Sequence, residues 1–286
     1  MTVAAAADDA HNFSRRVAST LVLAPVAIAA AFSGGWLFVG LCAIAAGVIL
    51  WEWVTLVARS ADLRILTPGT AALLTAMALL GQRHLDGAIG TMVIGAILAA
   101  GAAAAWPRQY PAANSALWGA AGVVYAGVAL LGPAILRGDP KLGFAALLFL
   151  FAIVWATDIF AYLVGRAVGG PLLWPQLSPK KTWSGALGGL VGGVAAGTLV
   201  AYASVGTRPA IAGVLGLVLS IVAQGGDLFE SAIKRRFGAK DASRLIPGHG
   251  GVMDRLDGFL VAALAAVLIG WMHQSLAAPA QGLLVW

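Results

Sequence analysis

A charge-dense stretch from Ser231 to Asp257 contains the residue types in this chain that could do chemistry. Only 10% of the 286 residues are charged, so such a cluster must lie in water or line a polar cavity. Bases that bind phosphate, acids that bind a metal and glycines that expose the backbone occur together, which favours phosphate chemistry. The bases are Lys234, Arg235, Arg236, Lys240, Arg244 and Arg255, and the acids are Asp241, Asp254 and Asp257, with Asp227 and Glu230 upstream.

Two pairs of polar side chains have helical spacing. Asp227 and Ser231 are four residues apart, and Asp254 and Asp257 are three apart, so each pair shares one face of a helix. Together the pairs would place three carboxylates and a hydroxyl around one point, and hard cations such as Mg²⁺ prefer oxygen ligands. Asp158, just before another basic loop, is a further candidate ligand. Ion pairs with the neighbouring bases are the alternative, and spacing alone does not choose between them.

Two loops carry candidate phosphate-binding groups. The turn 247–251, Pro-Gly-His-Gly-Gly, exposes backbone N–H groups that could face an anion, although its histidine could also serve only as a hydrogen-bonding residue. The run 178–182, Ser-Pro-Lys-Lys-Thr, offers two ammonium groups that bind phosphate or act only as membrane anchors. The candidate binding residues are Ser178, Lys180, Lys181, Ser231, Lys234, Arg235, Lys240, His249, Gly250, Gly251 and Arg255.

The composition places these loops on a membrane protein. Hydrophobic residues make up 60% of the chain, in non-alternating runs of about 20 residues that predict membrane-spanning helices. We therefore predict an all-α polytopic membrane protein, with a cytoplasmic segment at 1–16 and a single transmembrane domain at 17–286. The nine predicted spans are 17–33, 36–57, 66–82, 87–106, 115–136, 142–164, 184–205, 210–228 and 256–273.

The positive charges are unequally divided between the two sides of these spans. Fourteen of the 18 Lys and Arg residues fall on the side of the N-terminus, which predicts a cytoplasmic N-terminus and places loops 165–183 and 229–255 in the cytoplasm. Bases placed between apolar spans also argue against nucleic acid as a partner. The single cysteine, Cys42, excludes a disulfide framework. The four bases on the other side are Arg83, Arg137, Lys141 and Arg208.

Two further features have structural interpretations. Glycines at 185, 189, 193 and 197 form one stripe of the seventh span. No Lys-Ser/Thr follows them, so they predict close helix packing instead of a phosphate loop. Glu52 lies between two tryptophans near the end of a span, which favours a structural hydrogen bond for its carboxylate.

The C-terminal motifs resemble the signature of the phosphatidate cytidylyltransferases, also called CDP-diacylglycerol synthases. The likeness is strongest over 158–257, and Ser184 departs from it because many family members carry Glu there. The main matching runs are Ser231-x-x-Lys234-Arg235-x4-Lys240-Asp241, Pro247-Gly248-His249-Gly250-Gly251 and Asp254-Arg255-x-Asp257. The supporting runs are Gly226-Asp227-Leu228-x-Glu230-Ser231, Asp158-x-x-Ala161-Tyr162-x-x-Gly165-Arg166 and Ser178-Pro179-Lys180-Lys181-Thr182.

The resemblance implies an inner-membrane enzyme, active on its cytoplasmic side, that joins CTP to phosphatidic acid and releases pyrophosphate. It implies Mg²⁺, alone or with a second cation, on Asp227, Asp254 and Asp257, assisted by Ser231 and Asp158. It also implies a homodimer, with phosphates held by Lys180, Lys181, Lys234 and Arg235. The alternatives are a CTP-dependent enzyme acting on another lipid phosphate or a lipid alcohol, and an ion-coupled transporter. Transport is disfavoured because we find no internal repeat in the sequence.

Overall fold

A computed structural model describes residues 22–105, 114–246, 250–275 and 277–286, and these ranges are mostly helical. Eight of their helices, α2 to α9, are long and apolar enough to cross a membrane, which confirms the predicted all-α polytopic class. The helices are α1 Val22–Ser33, α2 Gly35–Ala58, α3 Leu63–Gly81, α4 Leu85–Ala105, α5 Ser115–Gly138, α6 Gly143–Val168, α7 Trp183–Val205, α8 Pro209–Arg236, α9 Met253–His273 and α10 Pro279–Leu284.

The number of spans stays a prediction. The predicted first span, 17–33, lies partly outside the described residues, and its described part is the 12-residue helix α1. Such a length is below the roughly 20 residues that cross a hydrocarbon core. The cytoplasmic location of the N-terminus also stays a prediction.

The contacts within the chain group it into two compact units. The first consists of Met1–Ala126 with Ala239–Arg255, and the second of Gly127–Gly238 with Leu256–Trp286. The first therefore holds the glycine-rich loop before α9, and the second holds α7, α8 and most of α9. The prediction of one transmembrane domain over 17–286 stays a prediction.

In the first unit, Trp53 fastens the end of α2 to α5. Its ring is 2% exposed, and its Nε1 donates a 3.0 Å hydrogen bond to the carbonyl oxygen of Trp118. The ring centroid of Tyr125 lies 5.3 Å from that of Trp53. A buried indole N–H needs such an acceptor. The contact holds the last turns of α2, and with them Glu52, in one place.

In the second unit, the glycine stripe of α7 lies against the backbone of α6. A β-carbon at Gly185 would come within 2.7 Å of the Ala161 carbonyl oxygen, and one at Gly189 within 2.8 Å of the Thr157 carbonyl oxygen. Only hydrogen fits in these places, so the predicted close packing is confirmed. Beside this contact, the Thr157 and Ser220 hydroxyls share a buried 2.7 Å hydrogen bond that ties α6 to α8.

A short antiparallel hairpin connects α6 to α7, where the sequence predicted only a polar loop. Its strands are β1 Leu172–Trp174 and β2 Ser178–Thr182. Thr182 ends the hairpin and begins the next helix, because its Oγ1 accepts a 3.1 Å hydrogen bond from the Gly185 N–H. The hairpin thereby places Lys180 and Lys181 at the end of the α6–α7 pair.

We expect Gly189→Ala to destabilise the protein by about 1–3 kcal/mol, because the added methyl group would force α6 and α7 apart. Gly90→Ala in α4 is the matched control, since a β-carbon there meets nothing within 4 Å. The measurement is the midpoint of thermal unfolding of each purified variant in detergent. Equal midpoints for both variants would contradict the close α6–α7 packing.

Candidate active site

A close crossing of α8 and α9 brings two of the predicted aspartates together. A β-carbon at Gly226 would lie 2.8 Å from the carbonyl oxygen of Asp257, and one at Gly258 would lie 2.9 Å from the carbonyl oxygen of Ala223. The two backbones therefore touch at glycine on both sides. Asp227 and Asp257, each next in sequence to one of these glycines, lie at this crossing as a result.

The crossing brings acidic side chains together with one lysine. Asp257 lies within electrostatic reach of Asp227 and Asp158, and also of Lys181. The Lys181 ammonium forms an ion pair with the Asp227 carboxylate, and both side chains are partly exposed. Three acidic side chains and one ammonium form a set that a bound cation would stabilise. The α6, β2, α8 and α9 elements each supply one of these four side chains.

The donor set fits one mode of magnesium binding. Among the described residues, no three His, Cys, Asp or Glu side chains are grouped as ligands for a metal ion. Mg²⁺ usually binds through one or two carboxylates and completes its shell with water and substrate phosphates. Asp227 and Asp257 fit that requirement, and the metal itself stays a prediction.

The end of α8 carries the next group of predicted residues. The sequence ended this span near 228, but the helix continues to Arg236, so Ser231, Lys234 and Arg235 are helical. Lys234 forms a 2.5 Å ion pair with Glu230, whose side chain is fully buried. Arg235 is exposed, and its Nε donates a 3.4 Å hydrogen bond to the Leu177 carbonyl oxygen at the start of β2.

Sequence reasoning gave Glu230 no role of its own. The structure makes it the buried counter-charge that holds the Lys234 ammonium from one turn earlier on the same helix. The four-residue spacing between an acid and a base was the signal that could have identified it.

In the first unit, Asp254 organises the glycine-rich loop. Its Oδ2 accepts hydrogen bonds from the backbone N–H of Gly251 at 2.7 Å and of Ala242 at 3.0 Å. The Ile246 N–H donates to the Gly250 carbonyl oxygen at 2.8 Å and closes the turn. In this structure the Gly251 N–H group therefore donates to a carboxylate of the protein and not to an anionic ligand. The predicted ligand role of Asp254 stays a prediction, and His249 lies outside the described residues.

Glu52 holds the other end of the same loop. Its carboxylate is fully buried and accepts hydrogen bonds from Ser243 Oγ at 2.6 Å, Val252 N at 2.9 Å and Met253 N at 2.7 Å. The last two donors are N–H groups at the start of α9, which have no acceptor within the helix and favour a negative partner. The predicted structural hydrogen bond is confirmed, and α2 supplies the N-terminal cap of α9.

The remaining predicted residues are placed as follows. Ser184, where the family often has Glu, donates to the Gly169 carbonyl oxygen and lies 3.0 Å from Thr182 Oγ1, so it fastens the base of the hairpin. The exposed bases are Lys180, Lys240 and Arg255, and the half-buried serines are Ser178 and Ser231.

Comparison with known proteins places this arrangement in a family. The cytidylyltransferase family matches the chain over residues 14–273, which include every element that positions the site. The chain belongs to the cytidylyltransferase family. The resemblance found in the C-terminal motifs is thereby confirmed, and it extends over the first half of the chain, where the motifs were weak.

Relatives within the family carry a more specific name. A phosphatidate cytidylyltransferase of Brucella abortus is 43% identical over 263 residues, which cover 91% of this chain and 93% of the relative. That of Mycobacterium bovis is 42% identical over 130 residues, covering 46% of this chain and 42% of the relative. The phosphatidate cytidylyltransferase of Staphylococcus haemolyticus is 38% identical over 139 residues, which cover 48% of this chain and 52% of the relative.

We expect Glu52→Gln to cost about 1.5–3 kcal/mol of stability, because the amide keeps only one acceptor for three buried donors. Hydrogen exchange at the Val252 and Met253 amides should accelerate, and the thermal midpoint should fall. Gln224, whose side chain bonds to the Ala186 carbonyl oxygen at 3.3 Å, offers the control Gln224→Glu on another helix. Unchanged protection of the two α9 amides in Glu52→Gln would show that Glu52 does not cap α9.

Proposed function

We propose that this protein transfers the cytidylyl group of CTP to phosphatidic acid, giving CDP-diacylglycerol and pyrophosphate. The observation that carries the proposal is the α8–α9 crossing, where Asp227 and Asp257 meet Lys181 within the cytidylyltransferase fold. Relatives named phosphatidate cytidylyltransferase that cover nearly the whole chain support the choice of lipid substrate.

The reaction requires no nucleophile from the protein. An oxygen of the lipid phosphate attacks the α-phosphorus of CTP in line, and the bond from that phosphorus to the oxygen bridging the β-phosphate breaks. Pyrophosphate leaves with the electron pair. Because the attacking oxygen is already an anion, the protein contributes alignment and charge neutralisation.

Cations on two elements would hold the phosphates. Lys180 and Lys181 lie on β2, and Lys234 and Arg235 lie on the last turn of α8. The hydrogen bond from Arg235 to the Leu177 carbonyl oxygen joins the last turn of α8 to the residue before β2. It therefore fixes the positions of the two pairs of cations relative to each other. Before CTP binds, Lys181 is partnered by Asp227, and the incoming phosphates would compete for its ammonium.

Asp227 and Asp257 would hold Mg²⁺, with Asp158 adding negative charge and Ser231 following Asp227 on the same face of α8. When bound, the metal would neutralise charge on the phosphate oxygens. We also propose that a second cation can bind beside the Mg²⁺ ion. Asp254 would join this set only by exchanging the amides of Gly251 and Ala242 for a metal.

Purified protein incubated with CTP, Mg²⁺ and phosphatidic acid should produce CDP-diacylglycerol and pyrophosphate in equal amounts. Omitting phosphatidic acid, or replacing it with diacylglycerol, should abolish pyrophosphate release. Release of CDP together with phosphorylation of diacylglycerol would instead identify a lipid kinase. Identification of the lipid and phosphate products by mass spectrometry distinguishes these outcomes.

We expect Asp257→Asn to lower turnover by at least about 100-fold, because asparagine keeps the size of aspartate and removes the charge that a hard cation requires. Raised Mg²⁺ or Mn²⁺ should restore part of the activity. Asp241→Asn is the matched control, since Asp241 is an exposed acid of the same region. Near-normal turnover in well-folded Asp257→Asn would remove this residue from the metal site.

Asp254→Asn separates a ligand from a loop-organising residue. Asparagine keeps one acceptor oxygen but removes the charge that strengthens the hydrogen bonds from the Gly251 and Ala242 N–H groups, so the thermal midpoint should fall. A shift in metal dependence of turnover, measured at matched folded fractions, would add a ligand role. A lower midpoint with unchanged metal dependence would assign Asp254 to the loop alone.

We also propose that the site faces the cytoplasm, in an inner-membrane homodimer. Cys42 is buried, so a Cys42→Ala background allows single cysteines at Lys180, Lys240 and Arg208 to be labelled in intact cells. A membrane-impermeant maleimide added outside should label only position 208. Labelling of position 180 or 240 from outside would show that the protein has the opposite orientation in the membrane.

The mass of the purified protein–detergent complex, corrected for detergent, tests whether the protein is a dimer.

A further inference from the structure

The hairpin between α6 and α7 has two different faces. Lys181 on β2 forms its ion pair with Asp227, so this side chain turns towards the candidate site. Leu172 and Trp174 are the two exposed residues of β1, and the register of its pairing with β2 shifts between them. They are 42% and 51% exposed. The described part of the chain therefore leaves an apolar surface of the hairpin uncovered.

The connections of the hairpin restrict where this surface can be. The hairpin joins the last turn of α6 to the first turn of α7, and both helices are long and apolar enough to cross a membrane. Only the 14 residues from 169 to 182 separate the two helices, so the hairpin cannot move far from the membrane boundary. Trp183, at the first position of α7, is also exposed and marks that boundary.

The hairpin is held rigidly against the protein. The backbone N–H of Trp183 donates to the Pro171 carbonyl oxygen at 3.0 Å, and the Nε of Arg235 donates to the Leu177 carbonyl oxygen. Ser184 bonds to Gly169 at the base. A two-stranded hairpin alone is marginal in water, so its stability depends on these bonds and on contacts of its apolar side chains.

The charge of this region indicates what covers the apolar face. No acidic residue occurs between Asp158 and Asp227, whereas Lys180 and Arg166 are exposed beside the hairpin. Tryptophan next to lysine and arginine is the pattern of segments that lie among lipid headgroups, where the ring is partly in hydrocarbon and the cations meet phosphate. A soluble partner protein would not be restricted to this depth.

We propose that the face formed by Leu172 and Trp174 lies in the headgroup layer of the lipid bilayer. The bilayer then supplies the missing contact of the hairpin and sets the height of β2, which carries Lys180 and Lys181. The location follows from the hairpin alone, whereas its effect on lipid turnover rests on the proposed function. The face is a membrane-docking surface that acts on the substrate lipid through the position of β2.

The location is tested by fluorescence quenching on the full chain in the Cys42→Ala background. Trp174→Cys carries an environment-sensitive nitrobenzoxadiazole label, and the protein is reconstituted in vesicles of equal parts phosphatidylcholine and phosphatidylglycerol. Headgroup nitroxide lipids should quench this label more strongly than mid-chain nitroxide lipids, and aqueous iodide should quench it weakly.

Two reference positions calibrate the depth. Val191→Cys on the lipid-exposed side of α7 should be quenched best by mid-chain nitroxide, and Lys240→Cys in an exposed loop by iodide. The Lys240 label also reports whether the dye enters lipid by itself. Quenching at position 174 that matches either reference would place the face in hydrocarbon or in water and overturn the proposal.

The effect on turnover is tested with Trp174→Ser. In vesicles, the KM for long-chain phosphatidic acid should rise several-fold while kcat stays unchanged. The increase should disappear with a short-chain, monomeric phosphatidic acid. Trp271→Ser, which removes a 50% exposed tryptophan near the end of α9, is the matched control and should leave both KM values unchanged.

The kinetic outcomes separate the two proposals. A raised KM for CTP with an unchanged KM for long-chain phosphatidic acid in Trp174→Ser would place Trp174 in the nucleotide site and overturn its membrane role. An equal effect on monomeric lipid would also overturn it. If the wild-type protein makes no CDP-diacylglycerol, the proposed function fails, whereas the quenching result still decides the location of the hairpin.

Discussion

The backbone contact between α8 and α9 is the constraint on which the candidate site depends. At Gly226 and Gly258 each helix presents hydrogen where the other presents a carbonyl oxygen, so no side chain separates them. The neighbouring residues, Asp227 and Asp257, are therefore placed together by main-chain geometry instead of by flexible side chains. Any larger residue at either glycine would separate the helices and move both carboxylates. Rigid main-chain placement is what a charge-neutralising site requires, because its contribution depends on preset positions.

Acids on apolar, membrane-crossing helices cost about 2.5–3.5 kcal/mol each on insertion scales where they lie in hydrocarbon, and this protein compensates three such acids differently. Glu52 accepts two backbone N–H groups and a hydroxyl, Glu230 pairs with Lys234 on its own helix, and Asp227 pairs with Lys181 from the hairpin. The carboxylates of Glu52 and Glu230 are buried, and their interactions stabilise the fold. The third is partly exposed and can exchange its partner, which is the property expected of a site that receives a charged substrate.

The sequence predicted features that follow from periodicity. The apolar runs became helices, the glycine stripe of α7 became a packing surface, and Asp227 and Ser231 share one face of α8. It could not predict pairings between distant residues, such as Lys181 with Asp227 or Glu52 with Met253, because nothing local encodes them. It also missed the hairpin, whose strands are only three and five residues long and whose second strand contains Pro179. The extension of α8 beyond 228 was missed because hydropathy falls there while helix propensity does not.

The length of α8 has a consequence of its own. Its 28 residues span about 42 Å at a rise of about 1.5 Å per residue, whereas the hydrocarbon core is about 30 Å thick. Even with a typical tilt, about 10 Å of the helix extends beyond the acyl chains. The charged side chains of α8 lie between Asp227 and Arg236, so the excess length is best accommodated at this end of the helix. A helix longer than the hydrocarbon core thus allows the acids and bases at one end to leave the acyl chains while the helix continues without a break.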